Sequence, residues 1–75
     1  MTEASLRAAI ETTLGAVPFE SPVSVAYCTA VRDALRVSLP NAKLEVFYRA
    51  VKTHSELIVE AREGSAYCMI VLPLV

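Results

Sequence analysis

The stretch Ala66–Leu72, AYCMIVL, constrains this chain more than any other. It holds no charge, glycine or proline, and it lies between the Gly64/Ser65 pair and Pro73. An unbroken apolar run rich in β-formers reads as a strand covered on both faces, because a half-exposed strand would alternate polar and apolar residues. One cover can come from helices of the same chain. The second has to come from the remainder of a short chain or from a partner.

At 75 residues the sequence reads as a single small domain, residues 1–75. A domain of this size buries only roughly 60% of the surface that its unfolded chain exposes. Here 55% of the residues are hydrophobic and the mean hydropathy is +0.48, more apolar material than so small a body can hide. The surplus points to assembly. It does not point to a helical membrane span, since no run approaches the roughly 20 apolar residues required. The opening MTEASLRAAIE carries charges in its first turns and lacks the order of a signal peptide, so a cytoplasmic chain is expected. Cys28 and Cys68 lie far apart with no CxxC or Cys/His cluster, so reduced thiols are expected and neither metal nor cofactor is. A net charge of −1 and a pI near 5.7 lack the clustered basic footprint that nucleic-acid binding usually shows.

Two helices precede the strands. Thr2 can cap the first, with Glu3 in its first turn, and Leu6, Ala9, Ile10, Thr13, Leu14 and Val17 recur at helical spacing. Gly15, with Pro18 beyond it, predicts the end of a helix over about residues 3–15. Ser21 followed by Pro22 predicts the start of a second helix over about 22–38, stopped by Pro40. Its apolar arc is Val23, Ala26, Tyr27, Ala30, Val31, Ala34, Leu35 and Val37, with Thr29, Arg32, Asp33 and Arg36 opposite and Cys28 at the margin. The short link between the helices makes them a hairpin.

From Lys43 the period changes to two, and strands are expected over about 43–52, 57–62 and 66–72. Gly64 suits the first position of a type II′ turn that sets Glu63 opposite Ala66, which aligns Ala61 with Cys68, Val59 with Ile70 and Leu57 with Leu72. For the first hairpin, pairing Lys52 with Glu56 mixes the faces. A loop Thr53–Glu56 with Lys52 opposite Leu57 keeps them apart, pairing Arg49 with Glu60, Val51 with Ile58 and Phe47 with Arg62. The expected fold is α+β: a two-layer ααβββ domain with the helical hairpin on one face of a three-stranded antiparallel meander. Val59 and Ile70 then belong to the core, between Ala30, Ala34 and Leu14.

The other face carries Phe47, Val51, Ile58, Tyr67, Met69 and Val71, interrupted by Glu45, Arg49, Glu60 and Arg62. A patch of that size on an open sheet, bordered by an uncharged edge strand, predicts an interface. The first functional expectation is therefore a small non-catalytic protein–protein interaction module. It would form a homodimer through its sheet and act by binding or blocking a larger protein, as an accessory subunit or a phage-type inhibitor. Arg49, Arg62, Arg32 and Arg36 are its candidate polar contacts. Arg32 and Arg36, a turn apart, could hold phosphate or an acidic partner, although with Asp33 between them such residues are more often simply the wet face of a helix.

A second expectation is a dimeric small-molecule binder or modest enzyme, with a pocket between two sheets lined by Phe47, Ile58, Tyr67 and Met69 and with Arg49 or Arg62 for an acidic group. A third is nucleic-acid binding through Arg7, Arg32, Arg36 and Lys43, and it ranks last on charge. His54, placed in the loop between Thr53 and Ser55, has no partner arrangement typical of a catalytic base. Cys28 and Cys68 read as small buried hydrophobes rather than reactive thiols.

Overall fold

In the computed structural model, which describes residues 2–17 and 24–74 with the side chains of Val51 and Leu74 excepted, two helices precede a three-stranded antiparallel sheet in the order β1-β2-β3. The first helix, α1 (Glu3–Ala16), begins where the Thr2 hydroxyl accepts from the Ser5 amide at 3.1 Å. Glu3 sits in the first turn and reaches Arg7 at 3.7 Å. Leu6, Ile10 and Thr13 form the buried stripe, one to a turn. Gly15 does not end the helix. It lies within it, the backbone leaves at Val17, and the Val17 amide donates to the Thr13 carbonyl.

The second helix, α2 (Val25–Ser38), is capped by Ser24, whose Oγ accepts from the Tyr27 amide at 3.2 Å. Ser21 and Pro22, the expected start, fall outside the described residues. Its buried face is Tyr27, Cys28, Val31 and Leu35, continued by Leu39 just past the helix. Ala26, Ala30 and Val37 are exposed, so the arc is turned toward Cys28 and away from the alanines. The reason is area: an alanine has little to hide, whereas the turned face buries two larger aliphatic side chains, a tyrosine and a thiol. Ala30 therefore does not face Ile70 as expected.

Leu39 and Ala42, both buried, bracket the turn at Pro40 and Asn41. One Arg36 nitrogen, Nη1, donates to the Ala42 carbonyl at 2.6 Å and to the Pro40 carbonyl at 3.2 Å. This ties the turn beyond the helix end back to the last turn of α2.

The strands are β1 (Lys43–Val51), β2 (His54–Glu63) and β3 (Ala66–Leu74). Between β2 and β3 the register is the expected one, with Glu63 opposite Ala66, Ala61 opposite Cys68, Val59 opposite Ile70 and Leu57 opposite Leu72. Gly64 has φ +62°, and no described non-glycine residue has positive φ, which fits a type II′ turn and excludes type I′. Strand β3 continues through Pro73, opposite Glu56.

Between β1 and β2 the register differs from expectation. Val51 stands opposite His54, so the loop is Lys52–Thr53, and Lys52 is in the turn rather than opposite Leu57. Arg49 pairs with Glu56 instead of Glu60, Phe47 with Ile58 instead of Arg62, and Val51 with His54 instead of Ile58. His54 is thus a strand residue. The displacement is an even number of residues, so every side chain keeps its expected face. Alternation fixes that parity but cannot distinguish two slips of equal parity, and the tight turn carries no glycine or asparagine to announce it.

Both helices lie on the face formed by Leu57, Val59, Ala61, Ala66, Cys68 and Ile70, and these join Leu6, Ile10, Tyr27, Cys28, Val31, Leu35, Leu39 and Ala42 in one core. Helix α2 packs over β1 and α1 over β3, and the helices touch each other. Among the described residues no helix is long and apolar enough to cross a membrane.

Candidate functional site

The face of the sheet turned away from the helices is organised in rows, because residues opposite one another in an antiparallel ladder share a face. Lys43, Arg62 and Tyr67 make a basic row, with the Arg62 guanidinium 5.1 Å from the centre of the Tyr67 ring. Next comes an acidic row of Glu45, Glu60 and Met69, then an apolar row of Phe47, Ile58 and Val71. The row after that is Arg49, Glu56 and Pro73, where Arg49 Nε donates to Glu56 Oε1 at 2.8 Å.

Ile58 is only 3% exposed although it lies on this face, and it stands outside the core cluster beneath the helices. Flanked in its row by Phe47 and Val71, it is already closed off within one copy of the chain. The side chains that remain open are Phe47 at 42%, Tyr67 at 40%, Met69 at 46% and Val71 at 39%. Val51 lies in β1 opposite His54, and its side chain is outside the described residues.

The four candidate arginines are not brought together. Arg62 and Arg49 are engaged within the sheet face as described. Arg36 is spent on the Pro40 and Ala42 carbonyls. Arg32 lines a depression with Val25, Cys28, Thr29 and Val46 of β1, and comes within 3.9 Å of Asp33. Sequence reasoning missed the structural task of Arg36, since nothing in a helical wheel signals carbonyls from beyond the helix end.

The free edges differ in a way that the ladder dictates. The two-residue turn makes Glu63 and Ala66 a hydrogen-bonded pair, and such pairs alternate with unbonded ones. Cys68, Ile70 and Leu72 therefore bond to β2, while Tyr67, Met69, Val71 and Pro73 turn their backbone groups outward. Pro73 occupies a position where a missing N–H costs the ladder nothing, as proline in an edge strand must. By the same count the outward groups of β1 belong to Leu44, Val46, Tyr48 and Ala50. Strand β1 carries Lys43, Glu45 and Arg49, charges of the kind that protect an edge, whereas β3 carries none.

Other chemistry is sparse. Ser55 is on the opposite face of β2 from His54 and Glu56, so the three do not converge; His54 Nε2 is 3.9 Å from Glu56 Oε2. Cys28 and Cys68 are both free and buried, and burial pushes the Cys28 thiol up from its ordinary value, away from thiolate reactivity. Among the described residues no three of His, Cys, Asp and Glu gather into a metal-binding group. An open depression lined by Lys43, Glu45, Glu60, Arg62 and Tyr67 crosses the charged rows.

Comparison of the chain with protein-family models, curated proteins and solved structures gives no match, and the functional reading rests on the site itself.

Proposed function

We propose that this protein is a small non-catalytic interaction module that self-associates through the open face and free edge of its sheet, most simply as a twofold dimer, and in that form binds or blocks a larger protein. The observation that carries the reading is β3: a charge-free strand at the sheet edge, with Tyr67, Met69 and Val71 each about two-fifths exposed on the uncovered side. Natural edges are normally blunted or paired, and this one is blunted only at Pro73.

Magnitudes decide which parts of the surface are needed. A fully buried side chain of this size contributes roughly 1.5–3 kcal/mol, so covering the remaining two-fifths gives about 1 kcal/mol each. Association costs about 4–15 kcal/mol. The side chains alone close a weak contact at best, and the unpaired backbone of β3 supplies the rest, at about 0.5–1.5 kcal/mol net per hydrogen bond.

Light scattering across micromolar concentrations tests the reading. Wild type is expected to dimerise, and Met69→Glu to shift toward monomer with its helical content unchanged, since the charge enters the interface and not the core. A wild type that stays monomeric throughout removes self-association and leaves the edge to a foreign partner.

A further inference from the structure

We infer that the dimer forms by antiparallel pairing of β3 with β3 of a second copy, in the register that sets Met69 opposite its own counterpart, to give a continuous six-stranded sheet. The inference rests on the self-association reading above and specifies its geometry. The occupant follows from the strand itself. An edge whose outward donors and acceptors alternate is complementary to its own copy about a twofold axis perpendicular to the sheet.

The register follows from counting donors. Only Tyr67, Met69 and Val71 offer both an outward N–H and an outward C=O, because Pro73 has no N–H and Ser65 belongs to the turn. Centring the axis at Met69 pairs Met69 with Met69 and Tyr67 with Val71, so all three residues of each strand bond to one another. Moving the centre toward Leu72 asks Pro73 for a donor that it lacks. Moving it toward Ala66 asks the turn residue Ser65 to extend the strand.

Side chains agree with this choice. On the open face the junction is Met69 beside Met69 and Tyr67 beside Val71. On the helical face, Ala66 meets Leu72 and Cys68 meets Ile70, in each case a small residue against a large one. The two acidic rows come into line, but Glu60 of one copy is separated from Glu60 of the other by three interstrand steps, roughly 14 Å, beyond the screening length of about 8–10 Å at ordinary salt.

Amide hydrogen exchange by NMR, read at dilute and concentrated protein, tests the edge directly. The amides of Tyr67, Met69 and Val71 are expected to gain at least tenfold protection on concentration, while those of Cys68 and Ile70, already bonded to β2, stay slow throughout. Cysteine crosslinking tests the register. In a Cys28→Ala/Cys68→Ala background treated with copper(II) phenanthroline, which takes two electrons as two thiols lose their protons and join, Met69→Cys is expected to give a covalent dimer rapidly. Tyr67→Cys mixed with Val71→Cys should crosslink, and each alone several-fold more slowly. A dimer by light scattering with no added protection at these amides, or with Tyr67→Cys crosslinking to itself as fast as Met69→Cys, overturns the inference and leaves self-association standing. A monomer at every concentration overturns both.

Discussion

Arg49 and Glu56 face each other across the β1–β2 ladder, with Arg49 Nε donating to Glu56 Oε1 at 2.8 Å. Among the described residues this is the one oppositely charged pair with good geometry on the open face, and it exists only in the tight-turn register. Because the Arg49 side chain is 61% exposed, solvent screens most of its Coulomb energy. A double-mutant cycle with Arg49→Ala and Glu56→Ala should give a coupling of about 0.5 kcal/mol in urea denaturation, shrinking toward zero in 1 M salt. Zero coupling at low salt would count against this register.

Ile70, opposite Val59 and beneath the helices, is core, and its neighbour Val71 is not. Ile70→Ala is expected to cost about 2–5 kcal/mol, and Val71→Ala well under half of that, measured at a concentration where the protein is monomeric. A change below about 0.5 kcal/mol at Ile70 would put the wrong face under the helices.

The two glycines should respond in opposite directions. Gly64 sits at φ +62°, where a side chain is strained, so Gly64→Ala should destabilise by about 1–2 kcal/mol. Gly15 is helical with open space where a Cβ would go, so Gly15→Ala should stabilise by about 0.5–1 kcal/mol. Thermal melts of the two variants decide the matter, and destabilisation by Gly15→Ala would mean that α1 needs a break there.

Both thiols should be unreactive toward a disulfide reagent in the folded protein and react on denaturation, since each is buried. Burial raises the Cys28 thiol above its ordinary value near 9.0. A raised value stabilises the fold fully below the unfolded thiol's pKa and loses that contribution as pH climbs through the folded one. Stability should therefore be insensitive to this group at neutral pH and decline above about pH 9, and Cys28→Ala should flatten that alkaline decline. Equal decline in the variant would remove Cys28 as its source.

What the sequence discloses here depends on the kind of signal. Faces are legible because alternation and helical spacing act on every residue, so Val59, Ile70 and Cys68 were assignable to the core side. Register is legible only where a turn residue marks it: Gly64 locates the second hairpin, and nothing comparable marks Lys52–Thr53. The buried arc of α2 departs from the apolar count because such a count weighs Ala26 and Ala30 equally with Leu35. Likewise Ile58, on the face that the helices leave open, is closed by Phe47 and Val71 only once the ladder aligns them, so the exposed patch is smaller than the sequence implied.

The packing of α1 on β3 joins the first element to the fifth. Every other neighbouring pair in the fold is consecutive along the chain or, like α1 with β2, a lesser contact, so this closure is the long-range step. Its loop entropy has to be met before its contacts reward it. Until then α1, with its stripe of Leu6 and Ile10, has only α2 and a lesser contact with β2 against it, and β2 is itself an edge. The kinetic barrier should accordingly lie at the arrival of β3, the same strand whose other side is left unpaired when folding of a single copy is done.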